Sequence, residues 1–285
     1  MKMTINTKIL FLPYMLLKCR AFRTSPTGPS SRGRPWFSSE NSNTNLSPPS
    51  TGVDPGAAEL KDDLIALSEK TRRGFSASKK DRDEARRIID QLSKLSPSVE
   101  PASSYYENGG TNEGVTVAGQ WTLIYTDAPD ITTLDAGPFS AAKLGRIGQD
   151  CNPPYIKNVI EWRKPDWAAS LPFSGSESSK VLQKVCCEAS ASPDKPQSVD
   201  LKLLGLEIQG AYDDEGGESN DRRGLGESLL NGPAFFFNEN PINLRGPLTA
   251  PFGKFDILYL DSDMRITKTY QGYFAVNVRE GNPWF

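Results

Sequence analysis

No histidine occurs among the 285 residues of the chain. A Ser-His-Asp triad, a Cys-His dyad and every histidine-ligated metal site are thereby excluded. Acid–base chemistry would fall to Asp, Glu, Tyr or Arg, and the carboxylates are poorly placed for it. Asp261 and Asp263 pair only by proximity, since Asp-Ser-Asp between two apolar runs is ordinary turn chemistry. Asp213-Asp214-Glu215, with Glu218 and Asp221, gathers negative charge without the ligand spacing of a calcium loop and reads as a solvated hairpin. Cysteine adds no zinc ligand set, because Cys19, Cys151, Cys186 and Cys187 include no Cys-x-x-Cys pair. Cys186 and Cys187, adjacent on a strand, point to opposite faces and do not bridge each other. A bond from one of them to Cys151 stays open beside the simpler reading of small buried thiols. The expectation is a protein without catalytic residues, metal or cofactor, and not an enzyme.

What remains is binding, and the elements that would position it are mostly strands. From Val117 the apolar period is two: Trp121, Leu123 and Tyr125 fall on one face, Thr122, Ile124 and Thr126 on the other. Further strands are expected at 155–162, 180–188, 199–212, 254–261, 264–270 and 273–279, with an eighth near 144–149 or 233–237. Pro153-Pro154, Pro165-Asp166, Ser192-Pro193, Gly216-Gly217, Gly232-Pro233 and Asp261-Ser262-Asp263 separate them. Strands in succession with turns between them predict an antiparallel meander. About eight such strands close a barrel able to hold one small ligand, an open sandwich being the alternative. Leu203, Leu204, Leu206 and Ile208, like Ile257, Leu258, Tyr259 and Leu260, are apolar on both faces. A barrel explains this if a helix covers the outside or a ligand fills the inside; a solid core is equally compatible. Phe235-Phe236-Phe237 cannot share one strand face, and forms either a lip or partner surface or a segment buried beneath the helices.

Two helices precede the strands. Leu60, Leu64 and Leu67 recur at helical spacing, and Arg72-Arg73-Gly74 ends that pattern with Gly74 as C-terminal cap. Ser78 with Asp81 is a capping-box-like start for the second, whose stripe is Ile88, Ile89, Leu92 and Leu95 before Pro97. Two short helices bury too little to fold alone and must pack on the barrel; their charges are expected to face solvent. Ahead of them, Met1–Ser39 carries seven basic and no acidic residues, leaving 26 basic against 35 acidic in the rest, a formal charge of about −9. Such an acidic body excludes nucleic acid as a partner. Ile9–Leu17 is too short to span a bilayer and reads as the core of a signal peptide cut after Ala21. The Ser-, Pro- and Arg-rich stretch that follows resembles a transit peptide. The expected organisation is a signal-peptide-like segment at 1–21, a transit segment and linker at 22–58, a helical prologue at 59–97 and a barrel at 105–282.

These residues together resemble the plastid lipid-associated protein family, the fibrillins or plastoglobulins. Arg73-Gly74-Phe75-Ser76-Ala77 with Asp81-Arg82 is similar to its opening motif, and Gly119-Gln120-Trp121-Thr122-Leu123-Ile124-Tyr125-Thr126 to its first-strand signature. Leu144-Gly145-Arg146-Ile147-Gly148-Gln149 with Asn158-Val159, and Tyr259-Leu260-Asp261-Ser262-Asp263-Met264-Arg265-Ile266 with Gly272, Phe274 and Val276, follow in the family's order. Lys268 and the insertion from Asp213 to Gly232 depart from its common pattern. The resemblance implies a lipocalin-like barrel in a plastid, at thylakoids or plastoglobules, delivered by a two-part presequence. It implies that the barrel binds, stores or carries apolar lipids such as prenylquinones or carotenoids, or alternatively that it coats lipid globules or partners a prenyl-lipid enzyme through an apolar surface. Trp121, Leu123, Tyr125, Leu204, Leu206, Tyr259 and Phe274 are the residues expected to line a ligand site. Gly119-x-Trp121 also resembles the first-strand motif of lipocalins, in which the Trp packs on a late-strand Arg at the closed end. Arg265 would match that Arg, making Trp121 and Arg265 a structural lid.

Overall fold

A computed structural model of the chain describes residues 55–98, 100–105, 115–134, 142–168, 179–212, 237–245, 251–281 and 284–285. The expected presequence, the acidic run from Asp213, and Phe235 and Phe236 lie outside the described residues.

Helix α1 (Pro55–Lys70) begins on a proline, tolerated there because the first-turn N–H has no helical acceptor. Helix α2 (Lys79–Lys94) opens on a complete capping box: Asp81 N donates to Ser78 Oγ at 3.2 Å and Ser78 N donates to Asp81 Oδ2 at 3.0 Å. Leu64 and Leu67 from α1 meet Ala85, Ile88, Ile89 and Leu92 from α2 in one apolar cluster. A 3-10 turn at Pro101–Tyr105 precedes the strands, nine of them among the described residues.

The strands are β1 (Gly119–Thr126), β2 (Lys143–Asn152), β3 (Tyr155–Arg163), β4 (Ser179–Ser192), β5 (Lys195–Tyr212), β6 (Ile242–Arg245), β7 (Pro251–Leu260), β8 (Met264–Thr269) and β9 (Phe274–Arg279). The order β1-β2-β3-β4-β5-β7-β8-β9 closes when β9 pairs back onto β1, and every pairing is antiparallel. The fold is therefore a closed eight-stranded antiparallel barrel behind a helical pair. Its eighth strand is β2, the first of the two sites the sequence left open. On its edge away from β4, the long β5 offers Ser198–Lys202 to β7 and Gly205–Ile208 to the short β6.

Two faces of the wall carry two apolar clusters. Inside, Trp121, Cys151, Ile156, Cys187, Ala189, Val199, Phe255, Ile257 and Leu260 surround Ala102 and Tyr105 of the 3-10 turn, which plugs one end. Outside, α1 and α2 lie on Tyr125, Tyr259, Met264, Ile266 and Val276. Strand alternation alone would keep Tyr125 with Trp121 and Tyr259 with Ile257. Register shifts between Leu123 and Tyr125 on β1, and between Ile257 and Tyr259 on β7, turn both tyrosines outward beneath the helices. The expectation of one shared face for Trp121, Leu123 and Tyr125 is thus corrected for Tyr125: a bulge at Ile124 inserts one residue and reverses the parity. The runs that read as apolar on both faces find their cover here, with Leu258 and Tyr259 facing the helices and Ile257 and Leu260 the interior.

Ion pairs clamp the helices to the barrel. Lys61 on α1 donates to Asp261 Oδ2 at 2.7 Å, and Arg86 on α2 reaches Asp127 Oδ2 at 2.7 Å. Lys61 and Arg86 reach the barrel, while most of the hairpin's other charged residues are exposed, as the sequence reading expected. On the opposite outer wall, Trp284 packs with Val159 and Leu182, its indole N–H donating to Thr122 Oγ1 at 2.9 Å.

Candidate functional site

The plugged end is dense and polar at its centre. Trp121 is fully buried, and its indole N–H donates to the Val117 carbonyl at 2.9 Å. The Arg265 guanidinium lies 4.8 Å from the Trp121 ring centroid and that of Arg279 lies 4.2 Å away. Each such contact contributes about 0.5–2 kcal/mol depending on desolvation. Arg265 is 0 % exposed. It donates through Nη1 to Cys151 Sγ at 3.3 Å and through Nη2 to Gln149 Oε1, while Tyr105 donates its hydroxyl to the same sulfur at 3.4 Å. Burial, with Cys151 beside it, pushes the Tyr105 phenol well above its ordinary value, so it stays a neutral donor. Arg279 ties the ends of the chain's turns together by donating to Ser262, Ala118 and Thr116 carbonyls. Trp121, Arg265, Arg279, Tyr105 and Cys151 at this end hold one another, which gives them an architectural role.

The other half of the interior differs. Register assigns its side chains to rungs, because directly paired residues project to the same face. One rung runs Ile147, Ile160, Gln183, Ile208, Ile242; the next runs Gln149, Asn158, Val185, Leu206, Leu244. Trp162 pairs with Val181 above them, and its indole N–H donates to Gln183 Oε1 at 3.0 Å. Ile160, Trp162, Val181, Val185, Leu206 and Ile208 are only half-buried, and Leu244 is 54 % exposed. A filled core would cover such side chains completely. The polar groups among them are few and neutral: Gln149 donates to Asn158 Oδ1 at 2.7 Å. An apolar lumen with a handful of amide groups suits a hydrophobic guest with one or two carbonyl or hydroxyl oxygens.

The residues expected from sequence to line a ligand site divide accordingly. Leu206 lies half-buried on the inner face, and Leu123 pairs with Asn277 on the same inner side as Trp121 and Arg265. Trp121 lies in the plugged end together with Arg265. Leu204 is the extra residue of a β5 bulge, between Leu203 and Gly205, which pair with Cys187 and Cys186. Tyr125, Tyr259 and Phe274 belong to the helix-covered outer cluster and do not join the lumen. Phe237 is half-buried in a short helical turn. Cys151, Cys186 and Cys187 are free thiols, Cys187 inside and Cys186 outside near Glu207. Burial pushes the Cys186 thiol up to about 11 and Cys187 up to about 12, which makes both inert. Val185, Ile160 and Trp162 also lie on the inner face and were not among the residues expected from sequence. Their alternation was visible, but which face looked inward was not.

Among the described residues no helix is long and apolar enough to cross a membrane. The family model described as PAP_fibrillin matches residues 58–277. No curated protein matches the chain.

Proposed function

Because the chain belongs to the PAP_fibrillin family, we propose that it is a non-enzymatic carrier of apolar plastid lipids, holding them in the open half of its barrel. The half-buried inner-face residues Ile160, Trp162, Val181, Leu206 and Ile208 carry this reading, since they offer apolar surface on the inner side of the barrel wall. Burying a prenyl chain there removes apolar area from water at about 25 cal/mol per Å². Gln149, Asn158 and Gln183 supply amide donors and acceptors for a quinone or hydroxyl head. Residence at thylakoids or plastoglobules follows from the lipid class together with the signal-like and transit-like segments of residues 1–58.

The test is to purify the chain from about Thr51 onward, extract it with organic solvent and identify bound lipid by mass spectrometry. A prenylquinone or carotenoid near one per protein is the expected result. An empty extract, followed by failed reconstitution with each plastid lipid class, would remove the carrier function.

A further inference from the structure

Two hydrogen-bond chains among the described residues run along the inner face of the barrel, and each starts from a group that can only donate. A guanidinium and an indole N–H have no acceptor to offer. Arg265 Nη2 donates to Gln149 Oε1, and Gln149 passes the polarity on by donating through Nε2 to Asn158 Oδ1 at 2.7 Å. Trp162 Nε1 donates to Gln183 Oε1 at 3.0 Å. In both chains the last amide turns its oxygen back toward its donor, so its NH2 group faces away. An isolated amide leaves that orientation ambiguous; here the donor at the head of each chain fixes it.

Neither Asn158 Nδ2 nor Gln183 Nε2 has an acceptor among the described residues, and both side chains are half-buried. They share one face. Asn158 pairs with Val185, and Gln183 lies two residues from Val185 on β4, opposite Ile160. The two amides are therefore diagonal neighbours, about 7–8 Å apart and within reach of one ring. The backbone around them is already paired, since β3 and β4 run in unbroken register from Tyr155 with Glu188 to Arg163 with Lys180. Beside Gln183, the half-buried Trp162 ring is held in orientation by its own hydrogen bond and offers a flat apolar surface. A guest on this face thus meets two N–H donors next to a fixed aromatic plane.

We propose that Asn158 and Gln183 select a quinone over its quinol. A quinone ring carries carbonyl oxygens that only accept, which matches NH2 groups that only donate. A quinol brings hydroxyl hydrogens with no acceptor facing them, and a buried hydroxyl left unmatched is costly. Sites built from oriented hydrogen-bond groups discriminate sharply for this reason. Trp162 is a positioning residue in this scheme: without its N–H, the Gln183 amide is free to turn and present its oxygen. The proposal rests on the lumen being the lipid site, and adds to it the redox form of the guest.

The full chain is offered a benzoquinone with a short alkyl tail, the same compound reduced to its quinol and kept free of oxygen, and β-carotene, which carries no oxygen atom. The quinone is expected to bind about tenfold more tightly than the quinol, which lowers the midpoint potential of the bound couple by about 30 mV. In a Trp162→Phe chain, and in an Asn158→Leu, Gln183→Leu chain, that ratio falls toward one. A packing role alone would weaken both forms together and leave the ratio in place. Should the double variant misfold by circular dichroism, Trp162→Phe carries the test. Equal affinity of the parent for quinone and quinol, a ratio unmoved in the folded variants, or binding of β-carotene without the quinone overturns the selection while leaving the lumen reading intact. Failure of all three probes overturns the lumen reading and the selection with it.

Discussion

Gly74 shows how a single residue fixes a long-range contact. Its φ of +91° lies in the left-handed region, and a Cβ built there would sit 2.0 Å from the Thr126 carbonyl oxygen. The helix hairpin can therefore approach the end of β1 only through a residue without a side chain. A Gly74→Ala chain is expected to lose about 2–4 kcal/mol, combining left-handed strain with a backbone clash. Urea denaturation would check this through a lowered midpoint at unchanged slope. A midpoint within error of the parent would show that the hairpin docks by other means. The sequence read this glycine as the cap of α1, which instead ends at Lys70 with left-handed Arg72 and Arg73 before Gly74; its contact with Thr126 was not legible, because the two lie 52 positions apart.

At the scale of elements, the helical pair is held to the barrel by apolar burial and by Lys61–Asp261 and Arg86–Asp127. Asp261 also accepts from the Tyr259 hydroxyl at 2.6 Å and from the backbone N–H of Asp263 and Met264. Burial would raise its carboxyl, but the Lys61 ammonium, the tyrosine hydroxyl and the two amides outweigh it and hold the group below its usual range. A carboxylate depressed in the folded state stabilises fully above the unfolded value of about 3.9, and the contribution is lost as pH falls through the folded value. Asp261→Asn should therefore cost about 1–3 kcal/mol at pH 7. Thermal melts of both chains from pH 7 to pH 3 should show the difference closing at the acid end. A gap independent of pH would assign the loss to geometry rather than charge. The turn itself was readable from Asp261-Ser262-Asp263; its salt link to a residue 200 positions earlier was not.

For the whole molecule, the division of the barrel into a packed end and an open end decides what it can hold. Tyr105 and Trp121 fill one end, with Arg265 and Arg279 on the indole faces; at the other, Val185, Leu206 and Ile208 keep apolar surface uncovered. Filling the open end should separate binding from folding. Leu206→Trp adds volume where space exists, so melting should change little while lipid recovered in the solvent extract falls at least about fivefold. The same substitution in a solid core would destabilise by about 1–3 kcal/mol through overpacking. A clear loss of stability with undiminished lipid would place the binding surface elsewhere.

The sequence by itself determined the fold class, because period-two alternation, turn chemistry and the capping signals at Ser78 and Asp81 are local and survive without neighbours. It also determined the family, through motifs spread from Arg73 to Val276. Only the tertiary structure decided which side chains meet. Bulges at Ile124 and Leu258 each shift parity by one residue, moving Tyr125 and Tyr259 from the interior to the helix-covered face, and no local pattern announces such an insertion. Barrel closure then set the long-range pairs, Arg265 with Trp121 and Lys61 with Asp261, since it depends on a strand register that alternation alone leaves free.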